Sequence, residues 1–130
     1  MIQHVAIEIR SADADACARF WALLGFERVA PPPALAQRAA WVQRAGTQVH
    51  LLFVDEPVIA PQGHVAVVVD DYDGTLGALR EAGLDPQPRT EHWNSPRCFV
   101  RCPVGHRIEL MAFAPVGTPG RHGPRPATDR

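Results

Sequence analysis

The chain of 130 residues repeats itself. HVAIEI begins at His4 and HVAVVV at His64; LLGFE carries Gly25 and EAGLD carries Gly83; GTQVHLLFV opens on Gly46 and GHRIELMAF on Gly105. These landmarks are displaced by 60, 58 and 59 residues and keep the same order. A near-constant offset of that size describes a duplicated supersecondary unit, too small to bury its apolar face alone and stable against its twin.

Both copies follow one local order. A β-branched, alternating stretch leads, residues 2–10 and 63–70, and reads as a strand. Asp13 or Asp71 follows, an acid suited to capping a helix N-terminus. ADACARFWALLG and DGTLGALREAG read as helices, with Gly25 and Gly83 as their stop signals. Three strands complete each copy, at about 26–30, 38–45 and 47–54, then 87–92, 97–102 and 106–113. The fold class expected is α+β: two tandem βαβββ modules, about 1–56 and 62–114, making one domain of residues 1–114. The Pro/Gly/Arg-rich remainder, 115–130, is expected to be extended or flexible.

Composition narrows the chemistry. A 46% hydrophobic, 21% charged chain is that of a soluble globular protein, and a net charge of -1 offers no basic footprint for nucleic acid. No run approaches membrane-spanning length, and MIQHVAIEIR has neither a basic n-region nor an apolar h-region. Cys17, Cys98 and Cys102 then read as reduced, structural thiols in a cytoplasm. Every basic residue is arginine, so Schiff-base chemistry on lysine is excluded. Ser11 and Ser95 are the only serines, and neither lies in a G-x-S-x-G turn. There is no G-x-G-x-x-G and no phosphate loop.

Strand parity then picks out four residues, because alternate side chains point to opposite faces. Val5, Ile7 and Ile9 oppose His4, Ala6, Glu8 and Arg10; Val65, Val67 and Val69 oppose His64, Ala66 and Val68. Val49, Leu51 and Phe53 oppose Gln48 and His50; Ile108, Leu110 and Ala112 oppose Arg107 and Glu109. One face of each strand is apolar and should cover the helices. The other holds His4, His50, His64 and Glu109, at equivalent positions in the two copies. If a pseudo-twofold relates the modules, three imidazoles and a carboxylate converge near its axis, a donor set suited to a divalent transition metal. A carboxylate between Ile108 and Leu110 is then explained by a bound cation. Taken singly, each residue reads more simply as hydrogen-bonded or surface polar, and Glu109 as a partner of Arg107 or Arg101.

The paired modules, the strand-leading His4 and His64, and PVGHRIEL resemble the vicinal oxygen chelate superfamily: glyoxalase I, bleomycin and fosfomycin resistance proteins, and extradiol dioxygenases. The resemblance covers about residues 2–114 and implies a cupped eight-stranded mixed sheet with helices outside, around a metal, in a homodimer whose sites lie near the subunit contact. Carried over by position, His4, His64 and Glu109 match the two-histidine, one-carboxylate set of the dioxygenase and fosfomycin branches. His50 stands where glyoxalase I carries glutamate and methylmalonyl-CoA epimerase glutamine; imidazole is a weaker base without negative charge. Glu8 stands where bacterial glyoxalase I has an arginine, and would repel glutathione carboxylates. CPVGH replaces the usual DPxGN turn.

The resemblance implies one divalent transition metal (iron, manganese, nickel or zinc) held by His4, His64 and Glu109, with His50 as fourth ligand or general base. Trp41, Trp93 and Phe99 are candidates for the pocket wall, Glu8 for its rim, and Arg97 or Arg101 for an anionic group of the substrate. The activity implied is that of a lyase, isomerase or oxygenase on a small oxygenated molecule. The alternative is a bleomycin-resistance-type protein that sequesters a drug without catalysis.

Overall fold

Strand β1, His4–Ile9, pairs in parallel with β4, Thr47–Phe53, and this parallel pair recurs in the second half. There β5, Val65–Val68, pairs in parallel with β8, Arg107–Met111. Each chain segment between them supplies a helix and two further strands: α1, Ala14–Leu23, β2, Glu27–Val29, and β3, Ala39–Arg44, in the first. The second has α2, Tyr72–Glu81, β6, Gln87–Pro88, and β7, Arg97–Arg101. The structure is a computed structural model and describes residues 1–117; most of the tail expected to be flexible lies outside the described residues.

The strands form two four-stranded sheets, ordered β1-β4-β3-β2 and β5-β8-β7-β6, rather than one hydrogen-bonded sheet of eight. The duplication holds down to register. Ala6 faces His50 across β1 and β4, and Ala66 faces Glu109 across β5 and β8. Both β1 and β5 are edge strands, so each sheet has an edge unpaired by another strand at the equivalent place.

The apolar faces meet the helices as parity demands. Ile9, Val49 and Leu51 from the first sheet and Val67, Ile108 and Leu110 from the second join Cys17, Phe20 and Trp21 of α1 and Leu76 and Leu79 of α2 in one buried cluster. Each fully buried aliphatic or aromatic side chain of this kind contributes roughly 1.5–3 kcal/mol. The modules therefore share a core, and the opposite faces of the sheets are left for other work.

The helix stops follow expectation, since Gly25 and Gly83 take φ of +89° and +81°, a region costly for residues with a Cβ. The starts differ. Asp71 Oδ1 accepts the Gly74 N–H at 3.0 Å, as a capping residue should. Asp13 makes no side-chain cap bond, because a 3-10 turn over Ser11–Asp13 precedes α1 and folds its backbone in, with the Asp13 N–H bonded to Arg10 O at 3.0 Å. Strand β6 is also shorter than the 87–92 expected. Pro88 has no N–H to give its ladder, which continues only through the Arg89 N–H to Arg97 O.

Candidate functional site

The four residues singled out by parity stand on the sheet faces turned away from the core, grouped as two pairs. On the first sheet the rings of His4 and His50 stack at 4.0 Å between centroids and 17° between planes. Trp41, directly opposite His50 in the β3–β4 register, stacks on His50 at 4.0 Å and 3°. His50 Nε2 donates to Gln48 Oε1 at 2.8 Å, and Gln48 Nε2 donates in turn to Gln43 Oε1. This chain fixes the His50 ring and leaves Nδ1 as its lone-pair atom. Burial, and then the neighbouring His4, lower the His50 pKa from its ordinary value, so the ring stays neutral.

On the second sheet His64 Nε2 lies 3.4 Å from Glu109 Oε1. His64 Nδ1 donates to the Gln62 carbonyl at 2.8 Å, so in the neutral ring the lone pair is on Nε2, the atom nearer the carboxylate. Glu109 is 7% exposed, and its other partner is Arg97, whose Nη1 donates to the same Oε1 at 3.3 Å. Glu109 is thus paired with Arg97 rather than with Arg107 or Arg101. Two electron-rich atoms 3.4 Å apart repel, and Arg97 on the same Oε1 offsets part of that repulsion; a proton or a cation shared by the pair would offset the rest.

Do these residues fit a metal? His64 and Glu109 do, as two ligands: one imidazole oriented by a backbone carbonyl, one carboxylate held by an arginine. His4 has a matching lone pair at Nε2, since its Nδ1 bonds Gln3 Oε1 at 2.7 Å. Stacked imidazoles hold their in-plane lone pairs in separate parallel planes, so His4 or His50 must turn before both address one ion. Among the described residues no three His, Cys, Asp or Glu side chains form a group able to hold a metal ion. The meeting of all four at one point, expected from the sequence, is therefore absent within one chain, because the pairs belong to separate sheets.

The other residues expected at the site are dispersed around these pairs. Trp93 Nε1 donates to Phe113 O at 2.8 Å. Phe99 is opposite Glu109 in the β7–β8 register and meets the His64 ring edge-on at 5.1 Å. Arg97 is engaged by Glu109 and by Thr90 O, and Arg101 by Gly105 O, so both guanidiniums are partly satisfied within the fold. Glu8 accepts the Val58 N–H at 2.8 Å, and its backbone carbonyl accepts a 2.5 Å bond from His106 Nε2. A cavity of about 460 Å³ opens beside β1 and β5, lined by Val5, Ile7, Glu8, His64, His106 and Arg107 among others. It takes in His64 and Glu8 but neither Glu109 nor the His4–His50 stack.

Two features escaped the sequence reading. Arg89 and Arg107 both stand over Phe99, with Cζ 5.4 and 4.7 Å from the ring centroid. The buried Cys102, at the head of the CPVGH turn, lies beside the Cys17 thiol and the backbone of Val104, Gly105 and His106; against burial, this polar surrounding pushes its pKa down to about 6. The chain positions of Cys17 and Cys102 carry no sign of that contact. The arginines were visible as strand residues, but not their convergence across three strands.

Duplicated βαβββ modules that present equivalent polar pairs on their outward faces define the vicinal oxygen chelate superfamily. Within it, residues 4–111 match the family described as a glyoxalase-like domain, and the chain belongs to that family. No curated protein matches the chain. Among solved structures, a glyoxalase family protein from Bacillus anthracis is 23% identical over 85% of this chain and 93% of its own, with a TM-score of 0.77. The oxidase ChaP-H2 is 27% identical over 92% of this chain and 98% of its own, with a TM-score of 0.71. The fosfomycin resistance protein FosX from Mesorhizobium loti, at 16% identity, covers 88% and 92% of the two chains with a TM-score of 0.68 and shares the fold. No helix among the described residues is long and apolar enough to cross a membrane.

Proposed function

We propose that the protein is a metal-dependent enzyme, a lyase, isomerase or oxygenase acting on a small oxygenated molecule in the cytoplasm, and that it works as a homodimer. The observation that carries the reading is the His64–Glu109 pair, two acceptor atoms 3.4 Å apart with the imidazole proton committed to Gln62. The free edges of β1 and β5 border the two half-sets of ligands. Joining β1 of one protomer to β5 of its partner would extend each sheet and bring the half-sets to a common seam.

His64, Glu109 and His4 would hold one divalent transition metal, with His50 the general base in place of a fourth ligand, since its single lone pair at Nδ1 serves one role; the metal would supply Lewis acidity toward two substrate oxygens. The remaining steps belong to the protein. Gln62 fixes the tautomer of His64, and Arg97 holds the Glu109 carboxylate in place. His50, kept neutral, is placed to accept a proton at Nδ1. Trp41 gives the first half-site a flat wall. ChaP-H2, a solved oxidase, supports testing oxygen-dependent reactions first.

Metal analysis of untagged protein, supplemented anaerobically with ferrous iron, manganese, nickel or zinc and compared with Glu109→Ala, tests this reading. Stoichiometric metal in the wild type and none in the variant is expected; metal-free wild-type protein would overturn it. The Trp41–His50–His4 stack favours one second reading, a drug-sequestering module in which a planar ligand slides against the aromatic wall without metal. Tight binding of planar drugs by metal-free protein would select that alternative.

A further inference from the structure

The outward face of the second sheet is strongly cationic. By register, Arg89, Arg97, Arg101 and Arg107 share that face with Phe99 and Glu109: Phe99 is opposite Glu109, Arg101 opposite Arg107, and Gln87 opposite Phe99. The equivalent face of the first sheet carries Glu8 and no arginine on β1, and His50 and Gln48 on β4. The charge is one-sided, and the arginines are not equivalent.

Two of them are spoken for. Arg97 reaches Glu109 and Thr90 O, and Arg101 reaches Gly105 O. Arg89 and Arg107 form no ion pair and no side-chain hydrogen bond among the described residues. Their guanidiniums lie over Phe99, Cζ to centroid 5.4 and 4.7 Å, on the ring that Arg97 also approaches at 5.6 Å. A guanidinium stacked on a ring keeps its donor edge free and loses little freedom when it binds a planar oxyanion. The same ring touches His64 edge-on at 5.1 Å, and Arg107 lines the 460 Å³ cavity that contains His64. Glu8 is the one carboxylate in that lining; its Oε1 is occupied by the Val58 N–H, and it makes no ion pair with Arg107.

We propose that Arg89 and Arg107, held by Phe99, form an oxyanion subsite that takes a carboxylate or phosphate-type group of the substrate beside His64. The inference rests on the enzymatic reading above and names a substrate class for it: small anionic molecules. Bidentate donation from one or both guanidiniums supplies the recognition, and His64 and the arginines share contact with one aromatic ring.

Calorimetric titration of the chelator-treated full chain with benzoate and, separately, with inorganic phosphate tests this, with benzamide as the uncharged ring control. At least one anion should bind tenfold or more tightly than benzamide. Arg89→Gln and Arg107→Gln should each weaken it fivefold or more, whereas Arg38→Gln, on the other module, leaves it unchanged. Should Arg107→Gln fail to fold, Arg107→Lys keeps the charge without the planar fork and should still weaken binding measurably. Benzoate alone identifies a carboxylate ligand and phosphate alone a phosphate-type one; either supports the subsite. Binding of neither anion, or equal weakening by Arg38→Gln, overturns it. Because metal is removed throughout, the result is independent of the metal analysis, and either idea can fail alone.

Discussion

His64 Nε2 and Glu109 Oε1 face each other at 3.4 Å, and the proton of the neutral imidazole lies on the far side of the ring, bonded to Gln62. Replacing Glu109 by glutamine puts an amide donor opposite that lone pair. Glu109→Gln should therefore keep the fold and lose metal affinity. Glu109→Gln keeps a carbonyl oxygen for Arg97, whereas Glu109→Ala leaves that guanidinium, whose side chain is 11% exposed, with neither counter-charge nor acceptor there and should cost about 1–3 kcal/mol of stability as well. Urea midpoints together with metal content separate the two variants.

Helix capping should prove unequal in the two modules. Asp71→Ala removes the bond to the Gly74 N–H and should destabilise the protein by about 1 kcal/mol. Asp13→Ala removes no cap bond and should cost about half of that or less. Equal losses in chemical denaturation would contradict the 3-10 start of α1.

Cys102 should make stability depend on pH. The neighbouring Cys17 thiol and the backbone of the 104–106 turn lower its pKa to about 6, below the ordinary 9.0 of the unfolded chain. Between those values the folded state binds fewer protons than the unfolded one, so this contribution grows as pH rises from about 6 toward 9 and is lost as pH falls through 6. Cys17 is shifted upward by the same contact and by burial, and opposes the trend only above the ordinary thiol range. Under reducing conditions, wild-type stability minus that of Cys102→Ser should increase from pH 6 to 8.5; a flat difference contradicts it.

The fold was legible because its evidence runs along the chain. Period-two alternation and three constant offsets led to two modules whose registers coincide, Ala6 with His50 and Ala66 with Glu109. The parity argument also placed His4, His50, His64 and Glu109 on the outward faces. What it missed depends on neighbours across strands: the choice of Arg97 over Arg101 and Arg107 as the partner of Glu109, the two arginines on Phe99, and the Cys17–Cys102 contact. Asp13 and Asp71 look alike in sequence, yet a preceding 3-10 turn separates their roles. The proposed seam between protomers was beyond reach for another reason. Strand edges carry backbone groups whose pairing partner is not encoded by side-chain pattern alone.

A mixing experiment bears most directly on the proposal of a metal centre shared by two protomers. One variant loses the first half-site, His4→Ala with His50→Ala, and the other loses the second, His64→Ala with Glu109→Ala. Neither alone should retain stoichiometric metal, but after co-refolding the mixed dimer holds one intact seam, and metal binding should partly return. Wild-type protein that binds metal while the mixture regains none would contradict a centre built from two protomers, as would either variant binding metal unaided.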